Sequence, residues 1–331
     1  MMGLINDIIC ILFSLLNSIL LYFCTKKHFL NYVFVFLCLI IWSIIARLNS
    51  IQQDLIVYSE AMSYNWDFYK SFYVLREPIY WITSKILYNF FTDNIIVFII
   101  WDIVIFSLFT YISYKKNIKP YFILVFILFF PNVMGFLNVY RQYISTILLF
   151  LSFLLVFENH IKSKFLYLIS FLTHNVAAIF LPIIFVRKKF LQSKFIFAGI
   201  FSLFSMVFLS NSKSEMDTGE TSPLLFFAVV CLGMLIFLSL NKLVLYKKNI
   251  DLYYVNMYCV FVSLFSVTFL SSAPAKRICM IALTFLLYSI YWFIEENKKN
   301  LFFFRGALVL IALIPTFMFS SVFNMLVYMD K

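Results

Sequence analysis

Arg141 and His174 are the two residues best placed to do chemistry. Arg141 stands just before the apolar run Tyr143–Phe157, and His174 interrupts a second run, Phe165–Val186. Ionisable side chains are costly to hold in hydrocarbon, so at such depths they read as functional by default. Arginine grips phosphate or carboxylate through a planar two-point fork, whereas lysine acts as a compact point charge. A helix opening at Arg141 adds its positive dipole end and favours an anion there. An imidazole at His174 has three roles open to it: base, hydrogen-bond donor to a substrate, or satisfied core residue. Asp102, in the middle of a third run, is either a buried acid paired with another span or a wall of the same polar cavity.

The arginines are few and unevenly placed. Of six, Arg47, Arg76, Arg141 and Arg277 fall on one side of the threading described below, while the turns of the opposite side use mostly lysine. Fixed guanidinium groups set against the usual charge bias point to an anionic ligand handled from that side. The competing reading pairs them with the acids Asp54, Glu60, Asp67, Glu77 and Asp93, which would only staple a loop. The Tyr, Trp and Asn content of Tyr58–Tyr73 suits sugar rings, which stack on aromatic faces, and equally suits an interfacial aromatic belt.

These residues need a membrane body to hold them. The chain is 64% hydrophobic and 12% charged, with mean hydropathy +0.97, against roughly half apolar and a quarter charged for soluble domains. Its apolar runs of about 18 to 25 residues match the roughly 20 that a helix needs to cross a bilayer. The alternating ten-residue pattern of barrel strands does not occur. The formal charge of +11 is no nucleic-acid footprint, because the lysines sit in short turns between apolar runs. The six cysteines lie in or beside apolar runs without CxxC spacing and read as buried small hydrophobes. No P-loop, glycine-rich nucleotide loop or HExxH is present, which disfavours ATP-driven and metal-hydrolytic chemistry.

The expected fold is all-α: a single integral membrane domain over residues 1–331, with about ten transmembrane helices, a re-entrant hairpin and an outer amphipathic helix. Leu4–Cys24 lacks a cleavage site and reads as a retained first span. Phe29–Ala46, Asn94–Ser113, Tyr121–Met134, Tyr143–Phe157, Lys194–Ser210, Pro223–Leu245, Leu252–Ser271, Arg277–Ile294 and Leu301–Val327 follow. Residues 47–93 form an outer loop, in which Pro78 opens an amphipathic helix to Phe91. Phe165–Val186 is basic at both ends and broken at Thr173-His174-Asn175, which predicts a re-entrant hairpin over 165–186 with His174 near its tip. Placing the lysine-rich turns (Lys115/Lys116, Lys162/Lys164, Lys247/Lys248, Lys298/Lys299) inside leaves both termini, the acidic loop Asn211–Ser222, Ser271–Arg277, Arg141 and His174 on the outer side.

The order of these motifs resembles the Wzy-type O-antigen and capsule polymerases, and more closely their EpsG-like branch. The resembling residues are Arg47, Asp54 and Tyr58 in RLNSIQQDLIVY, Arg76, Glu77, Pro78 and Tyr80 in REPIY, and Asn138, Arg141 and Gln142 in NVYRQ. His174 in FLTHNVAAIFLP completes the series. The likeness covers roughly residues 45 to 185; beyond that, only the span count and Arg277 fit. The family more often shows Phe and Ser beside the histidine, where this chain carries Thr173 and Asn175.

The resemblance implies a GT-C-like inverting glycosyltransferase on the outer face of the bacterial cytoplasmic membrane. Its substrates would be polyprenyl-pyrophosphate-linked oligosaccharides, with membrane lipid around it and a chain-length regulator as a further partner. Pyrophosphate is a good leaving group, so the enzyme has mainly to stabilise its developing charge, which fixed cations in a dry site do well. Arg141, Arg277, Arg47 and Arg76 are the candidates, with Tyr58, Tyr80, Asn138 and Gln142 as neighbouring ligand-binding residues. Glu77, Asp54 and His174 are the candidates to orient or deprotonate the acceptor hydroxyl. Arginines in that role make a metal or cofactor unnecessary.

Other classes stay open on sequence alone. A lipid-linked oligosaccharide flippase also needs arginines in a polar cavity, but through its full depth. A membrane sugar O-acyltransferase needs a base, for which His174 would serve. An ion-coupled transporter often shows repeats and broken helix pairs, and no repeat is visible here.

Overall fold

The computed structural model describes residues 28–49, 53–63, 72–186, 191–210, 221–244, 250–296 and 300–318. The expected first span Leu4–Cys24, the middle of Tyr58–Tyr73, most of the loop Asn211–Ser222 and the turns at Lys247/Lys248 and Lys298/Lys299 lie outside these residues. So does the basic cluster Arg187, Lys188 and Lys189.

All regular structure among the described residues is helical. The chain runs through α1 (Phe29–Asn49), α2 (Gln53–Ser63), α3 (Phe72–Arg76), α4 (Pro78–Phe91), α5 (Asn94–Lys115), α6 (Pro120–Leu128), α7 (Phe130–Leu137), α8 (Tyr140–Leu155) and α9 (His160–Thr173). A 3-10 segment, Asn175–Phe185, precedes α10 (Leu191–Ser210), α11 (Pro223–Val244), α12 (Ile250–Phe269), α13 (Ser272–Glu296) and α14 (Leu301–Met318). Among the described residues, six helices are long and apolar enough to cross a membrane (α1, α5, α11, α12, α13 and α14), or seven if the bent pair α6–α7 counts as one span.

The expected ten spans are therefore not reached among the described residues, which exclude the first of them. Two of the expected spans in the middle of the chain are not built as straight full-length helices: Tyr143–Phe157 lies largely in the shorter α8, and Tyr121–Met134 is bent. Tyr121–Met134 bends by 65° between α6 and α7. The break falls at Phe129, two residues before Pro131: proline has no N–H to bond the carbonyl four residues back and its ring clashes there, so α6 stops and Pro131 is taken into the first turn of α7. Carbonyls freed at a break in an apolar medium need new donors. Asn132 Nδ2 donates to Phe126 O at 2.6 Å and Thr316 Oγ1 to Leu128 O at 2.8 Å. The run to Val186 is likewise split at His174 into α9 and the 3-10 segment.

Residue contacts divide the chain into two compact units. The first holds the described residues up to Leu151, with Leu168–Asn175 and residues 309–318. In it α1 and α5 pack along each other, and α1 shows an inside-out pattern. Tyr32, Val35, Leu39, Trp42 and Ala46 are buried, whereas Leu30, Phe34, Leu37 and Ile41 form an exposed apolar stripe at helical spacing, which hydrocarbon covers without cost. The helix expected from Pro78 to Phe91 is present, with Tyr80, Trp81 and Ser84 buried and Ile82, Ile86 and Phe90 exposed.

The second unit comprises Ser152–Tyr167 and Val176–Leu308. Its centre is α13, flanked by α11 and α12. Gly233 lets α11 approach Leu286 of α13, and Ser289 Oγ donates to Asn256 Oδ1 of α12 at 3.0 Å. Arg305 forks onto Glu295, with Nε to Oε1 at 2.7 Å and Nη2 to Oε2 at 2.6 Å, closing the turn between α13 and α14. Cys259 and Cys279 are buried here as free thiols.

Candidate functional site

Arg141 is the second residue of α8 and lies inside the first unit. Its Nη1 is hydrogen-bonded to Glu77 Oε2. The other carboxylate oxygen, Oε1, faces His174 Nδ1 at 3.7 Å. All three side chains are 5–6% exposed. Two residues far apart in the chain thus meet on one carboxylate, which comes from the junction between α3 and α4.

Aromatic faces hold the guanidinium from the sides. Its carbon stands 4.6 Å from the centre of the Tyr58 ring and 5.0 Å from that of Trp81, within the range in which a desolvated cation gains about 2 kcal/mol from each favourable face. Arg141 Nη2 also reaches the Tyr58 hydroxyl at 3.5 Å, and that hydroxyl donates to Asp54 Oδ2 at 3.3 Å. Asn138 Oδ1 accepts from the backbone N–H of Asp54 at 3.3 Å, in the first turn of α2, where an acceptor satisfies one of the helix's orphan donors. Tyr80 stacks on Trp101, with ring centres 5.8 Å apart, and meets Tyr58 and Trp81 edge-on. Burial pushes the Tyr80 hydroxyl well above the usual phenol range, so it stays protonated at working pH.

A serine pair positions His174. Ser145 stands one helical turn after Arg141 on α8, and Ser170 one turn before His174 on α9. Ser145 Oγ donates to Ser170 O at 3.0 Å and Ser170 Oγ donates back to Ser145 O at 2.8 Å. Ser152 and Ser163 repeat the arrangement seven residues later on α8 and seven earlier on α9, with Ser152 Oγ to Ser163 O at 2.7 Å and the reverse bond at 2.9 Å. Small hydroxyl residues let apolar helices approach closely and hydrogen-bond where water is absent. They fix the register that brings His174 level with Arg141.

A second buried cluster lies behind the first. Asp102, in the middle of α5, accepts from Arg47 Nε at 2.9 Å and Nη2 at 3.3 Å. Ser43 Oγ at 2.7 Å and the Tyr140 hydroxyl at 2.7 Å also donate to it. Arg47 Nη1 donates to Phe136 O at 3.1 Å, and the guanidinium lies 3.9 Å over the Phe136 ring and 4.4 Å over Tyr140. Both members of the ion pair are 1% exposed.

The structure thus gathers Asp54, Tyr58, Glu77, Tyr80, Asn138, Arg141 and His174 around one guanidinium. Gln142 is buried beside Arg141. Arg47, expected to hold pyrophosphate, is instead engaged by Asp102 and by a backbone carbonyl. Asp102 takes the first of its two sequence readings, an acid paired across spans. Arg76 ends α3 partly exposed and makes no ion pair among the described residues. Arg277 lies in the second unit, near the start of α13.

Trp81, Tyr140, Ser145 and Ser170 escaped sequence reasoning. The seven-residue spacing shared by Ser145/Ser152 and Ser163/Ser170 was the signal that marks the serines. Trp81 and Tyr140 were hidden by a chain rich in aromatic residues throughout.

Comparison with curated proteins and with solved structures finds no match. The chain does match the EpsG family over residues 31–216, more than half its length, and that stretch carries every residue of the Arg141 cluster. With its several membrane-spanning helices, the chain belongs to the EpsG family and is a multi-pass membrane protein of polysaccharide biosynthesis, of polymerase type.

Proposed function

We propose that this protein polymerises lipid-linked oligosaccharide repeat units at the outer face of the bacterial cytoplasmic membrane. It transfers the growing glycan from polyprenyl pyrophosphate to a new lipid-linked unit. The observation that supports this most is the meeting of Arg141, Glu77 and His174 on one buried carboxylate at the head of α8.

In this reading the acceptor hydroxyl oxygen bonds to the anomeric carbon of the donor glycan. The bond from that carbon to pyrophosphate oxygen breaks, and the lipid pyrophosphate leaves with the electron pair. The hydroxyl proton passes to the Glu77 carboxylate or the His174 imidazole, the two bases within the cluster. Arg141, at the N-terminal end of a helix, meets the charge that develops on the leaving oxygen; a preorganised donor of this kind accounts for about 10²–10³ in rate. Arg141 already holds an anion, so donor binding exchanges Glu77 for phosphate oxygens and frees the carboxylate for the acceptor. Arg76, next to Glu77 and partly exposed, meets the pyrophosphate first.

The test is the glycan made by a strain lacking the gene, with and without its restoration. Loss of polymer with accumulation of single lipid-linked units on the outer leaflet supports the reading. Accumulation on the inner leaflet would indicate a flippase, and an unchanged glycan ladder lacking acyl groups would indicate an acyltransferase.

A further inference from the structure

The buried Arg47–Asp102 pair does more than join two helices. Arg47 comes from α1 and Asp102 from α5, both long enough to span the membrane and packed along each other, so their side chains are referenced to the packed pair of long helices in the first unit. Between them they hold both sides of the short turn that presents Arg141. On the near side, Arg47 Nη1 takes the Phe136 carbonyl, one of the orphan acceptors in the last turn of α7. On the far side, Asp102 Oδ1 accepts the hydroxyl of Tyr140, the first residue of α8 and the covalent neighbour of Arg141. The guanidinium plane lies over the rings of both Phe136 and Tyr140. The intervening residue Asn138 is tied separately to α2.

We infer that Asp102, acting through Arg47 and Tyr140, is a positioning residue that sets where the Arg141 guanidinium stands. The inference rests on the proposed role of Arg141 as the cation for pyrophosphate. A half-helix has no full-length packing to locate its first residue, and α8 begins directly after a break. One ion pair with a hydrogen bond on each flank of the turn supplies that location. A displacement of about 1 Å in a group that meets the transition state costs on the order of a hundredfold in rate. A pair that only joined α1 to α5 would need neither the Phe136 carbonyl nor the Tyr140 hydroxyl.

The test separates position from stability. Replacing a buried ion pair by apolar residues of similar size is often neutral for stability, whereas removing one partner is not. The variants are therefore Arg47→Met/Asp102→Leu together and, separately, Tyr140→Phe, which keeps the ring and removes only the hydroxyl. Purified full-length protein is given lipid-linked repeat units extracted from the strain lacking the gene. Chain extension is measured as kcat and KM, and Tm is measured in the same detergent. Positioning predicts an unchanged Tm with kcat lowered at least about tenfold in both variants, KM moving less. Wild-type kcat at unchanged Tm in both overturns it. If the double variant does not accumulate, Tyr140→Phe decides alone by the same two results. Arg141→Ala in the same assay separates the two ideas: if it is inactive while both variants run at the wild-type rate, only the positioning role falls. If Arg141→Ala keeps the wild-type rate, the proposed function of Arg141 falls first.

Discussion

Glu77 faces His174 with one carboxylate oxygen, at 3.7 Å from Nδ1, and holds Arg141 with the other. A single acid therefore links the cation proposed for the leaving group to the imidazole proposed beside the acceptor. Glu77→Gln keeps the shape and removes the charge and the base. We expect chain extension to fall by about 10²–10⁴, with the protein still in the membrane. A Gln variant that extends chains at the wild-type rate would leave Glu77 a structural counter-ion.

Trp81 supplies one of the two faces on which Arg141 rests. Trp81→Phe retains a π face and should keep most of the activity. Trp81→Ala removes it, with a loss of about 1–2 kcal/mol, or roughly tenfold in rate. Equal rates for the two variants would show that the ring only fills space.

The serine register carries a graded expectation. Ser145→Ala removes one interhelical hydrogen bond, a loss of about 0.6 kcal/mol, and should leave polymer length nearly normal. Ser145→Leu forces α8 and α9 apart at the point where they set His174, and should stop polymerisation. Normal polymer from the Leu variant would mean that His174 has no part in the reaction.

Sidedness is tested across α5. The structure places exposed Asp93 at its start and exposed Asn117 just past its end, beside Lys115 and Lys116. If lysine-rich turns are cytoplasmic, Asp93→Cys should react with an impermeant thiol reagent added to intact cells, and Asn117→Cys only after lysis. The reverse pattern would put Arg141 on the wrong face of the membrane for an acceptor exported on lipid.

Much of the site was legible because ionisable residues are rare in this chain and stand out against hydrocarbon. Arg141 and His174 each appeared as an exception to its local pattern, Glu77 came through its place in REPIY, and the structure joins them. Partners were harder to assign. Arg47 and Arg141 look alike in sequence, since each arginine adjoins an apolar run, and only the fold decides that one meets Asp102 and the other Glu77. The span count went astray for a related reason. Hydropathy records how apolar a run is and not whether it is straight, so the bent run at Phe129 was counted as a plain crossing, whereas the break at His174 was legible from its polar residues. Pro131 and Thr173-His174-Asn175 marked both places without giving their geometry.

The central claim is that Arg141 meets the pyrophosphate, and substitution at that position tests it most directly. Arg141→Ala and Arg141→Lys are each restored to the strain lacking the gene, and the glycan ladder, the lipid-linked intermediates and the membrane level of the protein are measured together. The account predicts that Ala makes no polymer and accumulates single lipid-linked units at near-normal protein level. Lys, which keeps the charge and loses the two-point fork, should retain little activity. A normal ladder from Arg141→Ala, with the protein present in the membrane, would contradict it.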